Sequence, residues 1–249
     1  MKVWLKSFIF AENTEMKQYY IVLLIGLIFA CSPSEDELFD QGILKLEASQ
    51  YPEAIQYFER IIEKNPENSR ALNAKGIALY QQKNLDDAIA SFSSAISADS
   101  TSYKPFFNRG NAYLEKKEYS KALLDYNRAN GLDPTQTDIN YNRGLALLGM
   151  ESYEDAVFDF DQALQTNPNQ PLVLFNKSKA LLGNNDPIQA IENLKSSIAL
   201  DATNGAAFYL LGVTQMSALG EKEAGCENLK MALQLGFSEA KTWIDDFCN

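Results

Sequence analysis

Asn108, Asn142 and Asn176 stand 34 residues apart, and each directly follows an aromatic residue, Phe107, Tyr141 and Phe175, in a series that Tyr209 continues. A carboxamide both donates and accepts hydrogen bonds, so a row of them can hold the backbone of an extended peptide without reading its sequence. Aromatic surface beside the amides adds contact area at low entropic cost. Catalysis has no comparable set. The 249 residues include no histidine, which removes the commonest general base near neutral pH, the Ser-His and Cys-His nucleophile pairs, and the commonest metal ligand. Asp159-Phe160-Asp161 lacks the glycine and closing glutamate of a calcium loop, so its carboxylates read as surface charge. Carboxylates for glycosidase-type chemistry are plentiful, yet nothing places a pair across a cleft. The chain reads as non-enzymatic, with no cofactor and no metal.

The elements that position these asparagines follow the same 34-residue ruler. Ala54, Ala88, Ala122, Ala156, Ala190 and Ala224 form one column. Gly42, Gly76, Gly110, Gly144, Ser178 and Gly212 form a second, and Phe58, Phe92, Tyr126, Phe160, Leu194 and Asn228 a third. Three columns in register imply one helix–turn–helix unit copied six times without insertion or deletion, in a solenoid where no unit buries its apolar face alone. The small residue of the first helix lets two antiparallel helices approach, and the alanine of the second fills the space beside it. Pro66, Pro134 and Pro168, after Asn65, Asp133 and Asn167, close their units.

The blocks Asn108-Arg109-Gly110-Asn111-Ala112-Tyr113 and Asn142-Arg143-Gly144-Leu145-Ala146-Leu147 resemble the common bacterial form of the tetratricopeptide repeat. The likeness runs from about Glu35 to the C-terminus and weakens in the fifth unit, where Ser178 replaces glycine and Ala202 the closing proline. The resemblance implies an all-α TPR solenoid of six repeats over residues 38–236, with a C-terminal capping helix over 237–249. It also implies that first helices line a concave groove, which would set Phe107, Asn108, Tyr141, Asn142, Phe175, Asn176 and Tyr209 along it. The clamp by which some members grip a C-terminal carboxylate needs Lys and Asn where this chain has Phe39 and Ile43, so that mode is not expected. Lys104, Arg109, Arg143, Lys177 and Lys179 bring positive charge to the middle repeats, with pairing inside the helices the alternative use of Arg109 and Arg143.

The N-terminus reads as an address. Lys17, an apolar run from Ile21 to Phe29 and then Ala30 make a secretory signal over residues 1–30, with Met16 a candidate true start. The run is too short for the roughly 20 residues that span a bilayer. Ile28-Phe29-Ala30-Cys31 resembles a bacterial lipobox, which makes Cys31 the candidate lipidation site; a plain signal ending at Ala30 is the alternative. Acyl chains on Cys31 would hold the protein at a membrane surface, and residues 31–37 read as an acidic tether. The implied location is the bacterial cell envelope, at the outer membrane, facing the periplasm or the cell surface.

Cys226 and Cys248 remain, an even number in an oxidising compartment. They flank Gly236 at nearly equal distances along the chain, so a helical hairpin turning there brings them level. A disulfide stapling the C-terminal cap is the expectation, and two free buried thiols the alternative. The net charge of -11 opposes nucleic-acid binding, which relies on Lys and Arg. The expected function is an envelope lipoprotein scaffold that holds a peptide or helix of a partner protein in its groove. The alternatives are an assembly or chaperone factor for outer-membrane or secretion machinery, and a self-associating structural element. The sequence sets no oligomeric state.

Overall fold

The computed structural model describes residues 33–248, so the secretory signal and Cys31 lie outside the described residues. The described residues form thirteen helices and no strand, and none of these helices is long and apolar enough to cross a membrane. They fall into two compact units that divide after Pro66.

The first unit holds α1 (Glu35–Glu47) and α2 (Tyr51–Lys64). Ser34 opens α1 with a capping box: its hydroxyl accepts from the Glu37 N–H at 3.1 Å, and its own N–H donates to the Glu37 carboxylate at 2.8 Å. Glu35, Asp36 and Glu37 therefore form the first helical turn, where the helix dipole favours acid groups. This corrects the expectation of a tether through residue 37, because the box draws the acidic run into the helix. Leu38 and Gly42 of α1 are buried, as are Ala54, Phe58 and Ile61 of α2.

The second unit pairs α3 (Ser69–Gln81) with α4 (Leu85–Ala98), α5 (Tyr103–Glu115) with α6 (Tyr119–Leu132), and α7 (Thr137–Gly149) with α8 (Tyr153–Thr166). It continues with α9 (Pro171–Gly183) and α10 (Pro187–Leu200), then α11 (Gly205–Thr214) and α12 (Lys222–Gln234), and ends on α13 (Ala240–Phe247). Each second helix packs on the next first helix, and the first helices α3, α5, α7 and α9 also touch in turn. First helices thus share one face and second helices the other. Between repeats, Asp99, Asp133 and Asp201 each accept from the threonine two positions on, for Asp99 at 2.8 Å from the Thr101 N–H.

The glycine column serves a different partner from the alanine that the sequence suggested. A Cβ added at Gly76, Gly110 or Gly144 would stand 2.5, 2.7 and 2.7 Å from the rings of Phe92, Tyr126 and Phe160. The glycine exists to admit the ring of the third column, and the alanines pack alongside, fully buried from Ala88 to Ala190.

The copying is in frame for five repeats only. Each turn between first and second helix contains one residue of positive φ, at Ser49, Lys83, Lys117, Glu151 and Asn185, in step with the repeat. The sixth falls on Gly220 (φ 70) instead of Leu219, and Gln215–Leu219 just before it form a π-helical turn. Such a turn inserts one residue into a helix. Gly212 accordingly faces Leu229, which is fully buried, while Asn228 donates to the Gln215 side-chain oxygen at 2.7 Å. The expectation of six copies without insertion is corrected here, and Ala224 and Asn228 sit one position outside their columns.

On α13, Ala240, Trp243 and Ile244 pack with Leu229 and Ala232 of α12. Phe247 is 48% exposed and lies against Trp243 at 5.2 Å between ring centroids, because α13 ends there after only two turns. Cys226 and Cys248 are bonded in the structure, with Cα atoms 5.7 Å apart.

Candidate functional site

The shared face of α5, α7 and α9 carries the residues singled out in the sequence. Each aromatic residue of the series leans on its own repeat's core: Phe107 on Tyr126 and Tyr141 on Phe160, both at 6.1 Å between ring centroids, and Phe175 on the cluster around Ile191 and Leu194. All three remain half-buried. Tyr209 stands apart, packed on Phe237 at 4.8 Å beside the cap.

The asparagines first serve the protein itself. The Asn108 amide donates to the Asn73 side-chain oxygen at 3.0 Å, and the Asn142 amide to that of Asn111 at 3.0 Å, an oxygen that also accepts from the Tyr126 hydroxyl at 2.8 Å. The Asn176 amide donates to the Tyr141 hydroxyl at 3.1 Å and to the Leu172 carbonyl at 2.9 Å. These bonds tie neighbouring first helices together. The ladder is therefore a set of inter-repeat bridges in which the asparagine amide nitrogens donate.

Two hollows open on this face. One, of about 220 Å³, lies between α3, α5 and α7 and is lined by Asn73, Tyr103, Lys104, Phe107, Asn108 and Asp138. The other is an open cleft of about 590 Å³ with Leu145, Leu148, Tyr119, Tyr153, Asn176 and Lys179 among its walls. Its tyrosines sit where glycine admits them: a Cβ on Gly149 would stand 2.5 Å from the Tyr119 ring, and Gly183 is pressed in the same way by Tyr153. The sequence reading missed both pairs, although Tyr119 and Tyr153, and Gly149 and Gly183, obey the 34-residue ruler.

The expected positive charge is mostly committed inside the repeats. Arg109 Nε and Nη2 each hold an Asp125 oxygen at 2.8 Å, and Arg143 grips Asp159 in the same two-pronged way, Nε at 2.6 Å. The two carboxylates are 4% and 2% exposed, so Asp159 is a buried ion and not the surface charge its sequence context suggested. Lys177 pairs with Asp161 at 2.6 Å. The cations facing the hollows are Lys104 in the first, and Lys117 and Lys179 in the second, with Lys179 5.8 Å from the centroid of Phe175. At the cleft's edge Lys83 donates to Glu115 at 2.8 Å and holds its carboxyl below the usual range, while burial and Glu115 push the Tyr80 phenol up to about 12. Among the described residues no group of three or more His, Cys, Asp or Glu is placed to hold a metal ion.

Compared with curated proteins, the sequence matches none. Among solved structures it is similar to YrrB, described as a TPR protein with an unusual peptide-binding site, at 24% identity and TM-score 0.63 over 72% of this chain and 91% of that one. It is also similar to Pseudomonas aeruginosa pilF, at 20% identity and TM-score 0.70 over 84% of this chain and 96% of that one. MamA from Desulfovibrio magneticus RS-1 matches at 16% identity and TM-score 0.64 over 68% and 96%. At these identities the likeness shows a shared fold. Models described as tetratricopeptide repeat match residues 39–103 and 137–170, and one described as TPR repeat matches 110–151. Paired helices, an in-frame glycine-and-ring column and these matches together place the chain in the tetratricopeptide repeat family.

Proposed function

We propose that the protein is a non-enzymatic scaffold that holds a segment of a partner protein on the face built by α5, α7 and α9. One observation carries this reading: the open cleft of about 590 Å³ combines apolar walls at Leu145 and Leu148 with a lysine at Lys179 and an amide at Asn176. Such a mixture suits a peptide, which brings apolar side chains and backbone polar groups together. The similarity to a peptide-binding TPR protein supports the same reading. The lipobox-like run ending at Cys31 adds a location: a lipid anchor at the bacterial envelope, with the outer membrane as its site.

Crosslinking and pull-down from intact cells tests the reading, with Leu145→Glu combined with Lys179→Glu against the native chain. Both residues line the cleft, and neither takes part in the asparagine bridges. A partner captured by the native chain and lost from this folded variant supports the cleft; a partner retained by both refutes it. Replacing the asparagines instead would also cut the bridges between repeats. Metabolic labelling with palmitate, with and without Cys31→Ser, tests the anchor separately.

A further inference from the structure

The opposite face of the second unit carries two large apolar side chains that no core claims. Leu124 on α6 is 70% exposed and Phe158 on α8 is 60% exposed. They hold the same place in consecutive repeats. The residues in that place on the flanking second helices are Ala90 and Glu192, and the next exposed apolar side chain, Ile188 on α10 at 55%, stands one turn away at the place Glu154 holds on α8. Around Leu124 the exposed charges are basic, Lys121 and Arg128; around Phe158 they are acidic, Glu154 and Asp155, with Asp161 beside them. Each basic group has an aromatic neighbour on its own chain: Lys121 lies 5.3 Å from the Tyr113 centroid while pairing with Glu118 at 2.6 Å, and the Arg128 guanidinium lies 5.8 Å from that of Phe106.

We propose that this face is a self-complementary docking surface and that its occupant is a second copy of the chain, in a two-fold dimer. The argument is one of register. Lys121 and Asp155 are one repeat apart, as are Leu124 and Phe158, and Asn127 and Asp161. A two-fold axis running between α6 and α8, parallel to both, lays α6 of one copy over α8 of the other at the same height. Lys121 then meets the other copy's Asp155 and Leu124 meets Phe158, and each contact occurs twice, while Asn127 and Asp161 keep their bonds to Arg143 and Lys177. Lys121 and Asp155 make the patch complementary to itself in charge and Leu124 and Phe158 match in apolar surface, a pairing that a second copy supplies by symmetry. In a chain of net charge -11 two copies repel overall, so a local basic strip is what a dimer of this chain needs. Four apolar side chains at the centre make the association weak and reversible, not obligate.

Sedimentation velocity on the full chain, from about 1 to about 100 µM, reads the result directly. The native chain forms a dimer in the upper part of that range. Phe158→Asp raises the dissociation constant at least about tenfold, and Lys121→Asp does the same by setting acid against acid. Lys121→Asp combined with Asp155→Lys restores it to within about threefold, because the charges are exchanged and not removed. Circular dichroism matching the native spectrum verifies that these surface variants are folded, and capture of a groove partner is unaffected by any of them. A monomer throughout the range, a dimer indifferent to Phe158→Asp, an open-ended series of larger species, or an exchanged pair no better than Lys121→Asp alone overturns the proposal.

Discussion

The middle repeats and the sixth repeat solve the same packing problem by different means. Over α5 to α8 the glycine admits the ring of the second helix, and an arginine beside that glycine reaches the aspartate just before that ring, so each helix pair is closed by one apolar and one ionic contact. In the sixth repeat the π-helical turn pushes the second helix forward by one position. The ring is replaced by Leu229, the ion pair by the Gln215–Asn228 bridge, and a covalent link from Cys226 to Cys248 ties the end. A terminal repeat has a neighbour on one side only, which makes it the unit that frays. A staple there offsets the loss of in-frame contacts.

Breaking the buried pair should give the largest effect. Asp159→Ala leaves the partly buried Arg143 guanidinium without its two-pronged partner and empties the place of a buried carboxylate, and costs about 3 kcal/mol or somewhat more in urea unfolding. Asn228→Ala, the corresponding polar contact of the sixth repeat, costs about 1 kcal/mol. Equal losses at the two sites would erase the contrast. Cys248→Ser comes next: opening a loop of sequence separation 22 removes about 3 kcal/mol by the chain-entropy estimate. Hydrogen exchange should localise that loss to α12 and α13 and leave α5 to α8 protected.

Gly144→Ala follows at about 1–3 kcal/mol, since its Cβ meets the Phe160 ring at 2.7 Å and the ring is walled in. Gly131→Ala, in the last turn of α6 with nothing within 4 Å, should stabilise by about 0.4–1 kcal/mol. Deleting Ser217 sharpens the comparison differently. It removes the extra residue of the π-helical turn and brings Leu229 to the in-frame spacing from Gly212. The chain should fold with stability within about 1 kcal/mol of the native value, because the deletion restores the in-frame arrangement of the other repeats.

Most of the fold was legible because the 34-residue ruler constrains every helix pair at once. The sixth repeat escaped it because Ala224 and Asn228 happen to continue two columns by position, while the true core residues, Gly225 and Leu229, lie one step later. Only Gly220, the glycine in the shifted left-handed turn, marked the insertion. At the site, spacing put these residues at equivalent places on first helices and the family resemblance put those helices on one face, but their present partners could not be read. Asn142 reaches Asn111, and Arg143 reaches Asp159, along side-chain paths whose direction depends on helix rotation. The cleft tyrosines were hidden for the same reason: Tyr119 touches Gly149 across a repeat boundary.

The smallest effect concerns pH and again separates the regions. Tyr80, beside Glu115, titrates near 12 in the folded chain against 10.0 for a free phenol, and burial pushes Tyr126 up as well. A phenol is neutral when protonated, so a raised folded value means that the native state holds the proton more tightly than the unfolded chain. Its contribution is fully present below about pH 10 and is lost as pH rises toward about 12. Thermal melts should therefore show the repeats from α3 to α6 weakening over that interval. Tyr80→Phe and Tyr126→Phe together should flatten the decline. An alkaline decline of native size in the double variant would place the sensitive group elsewhere in the chain.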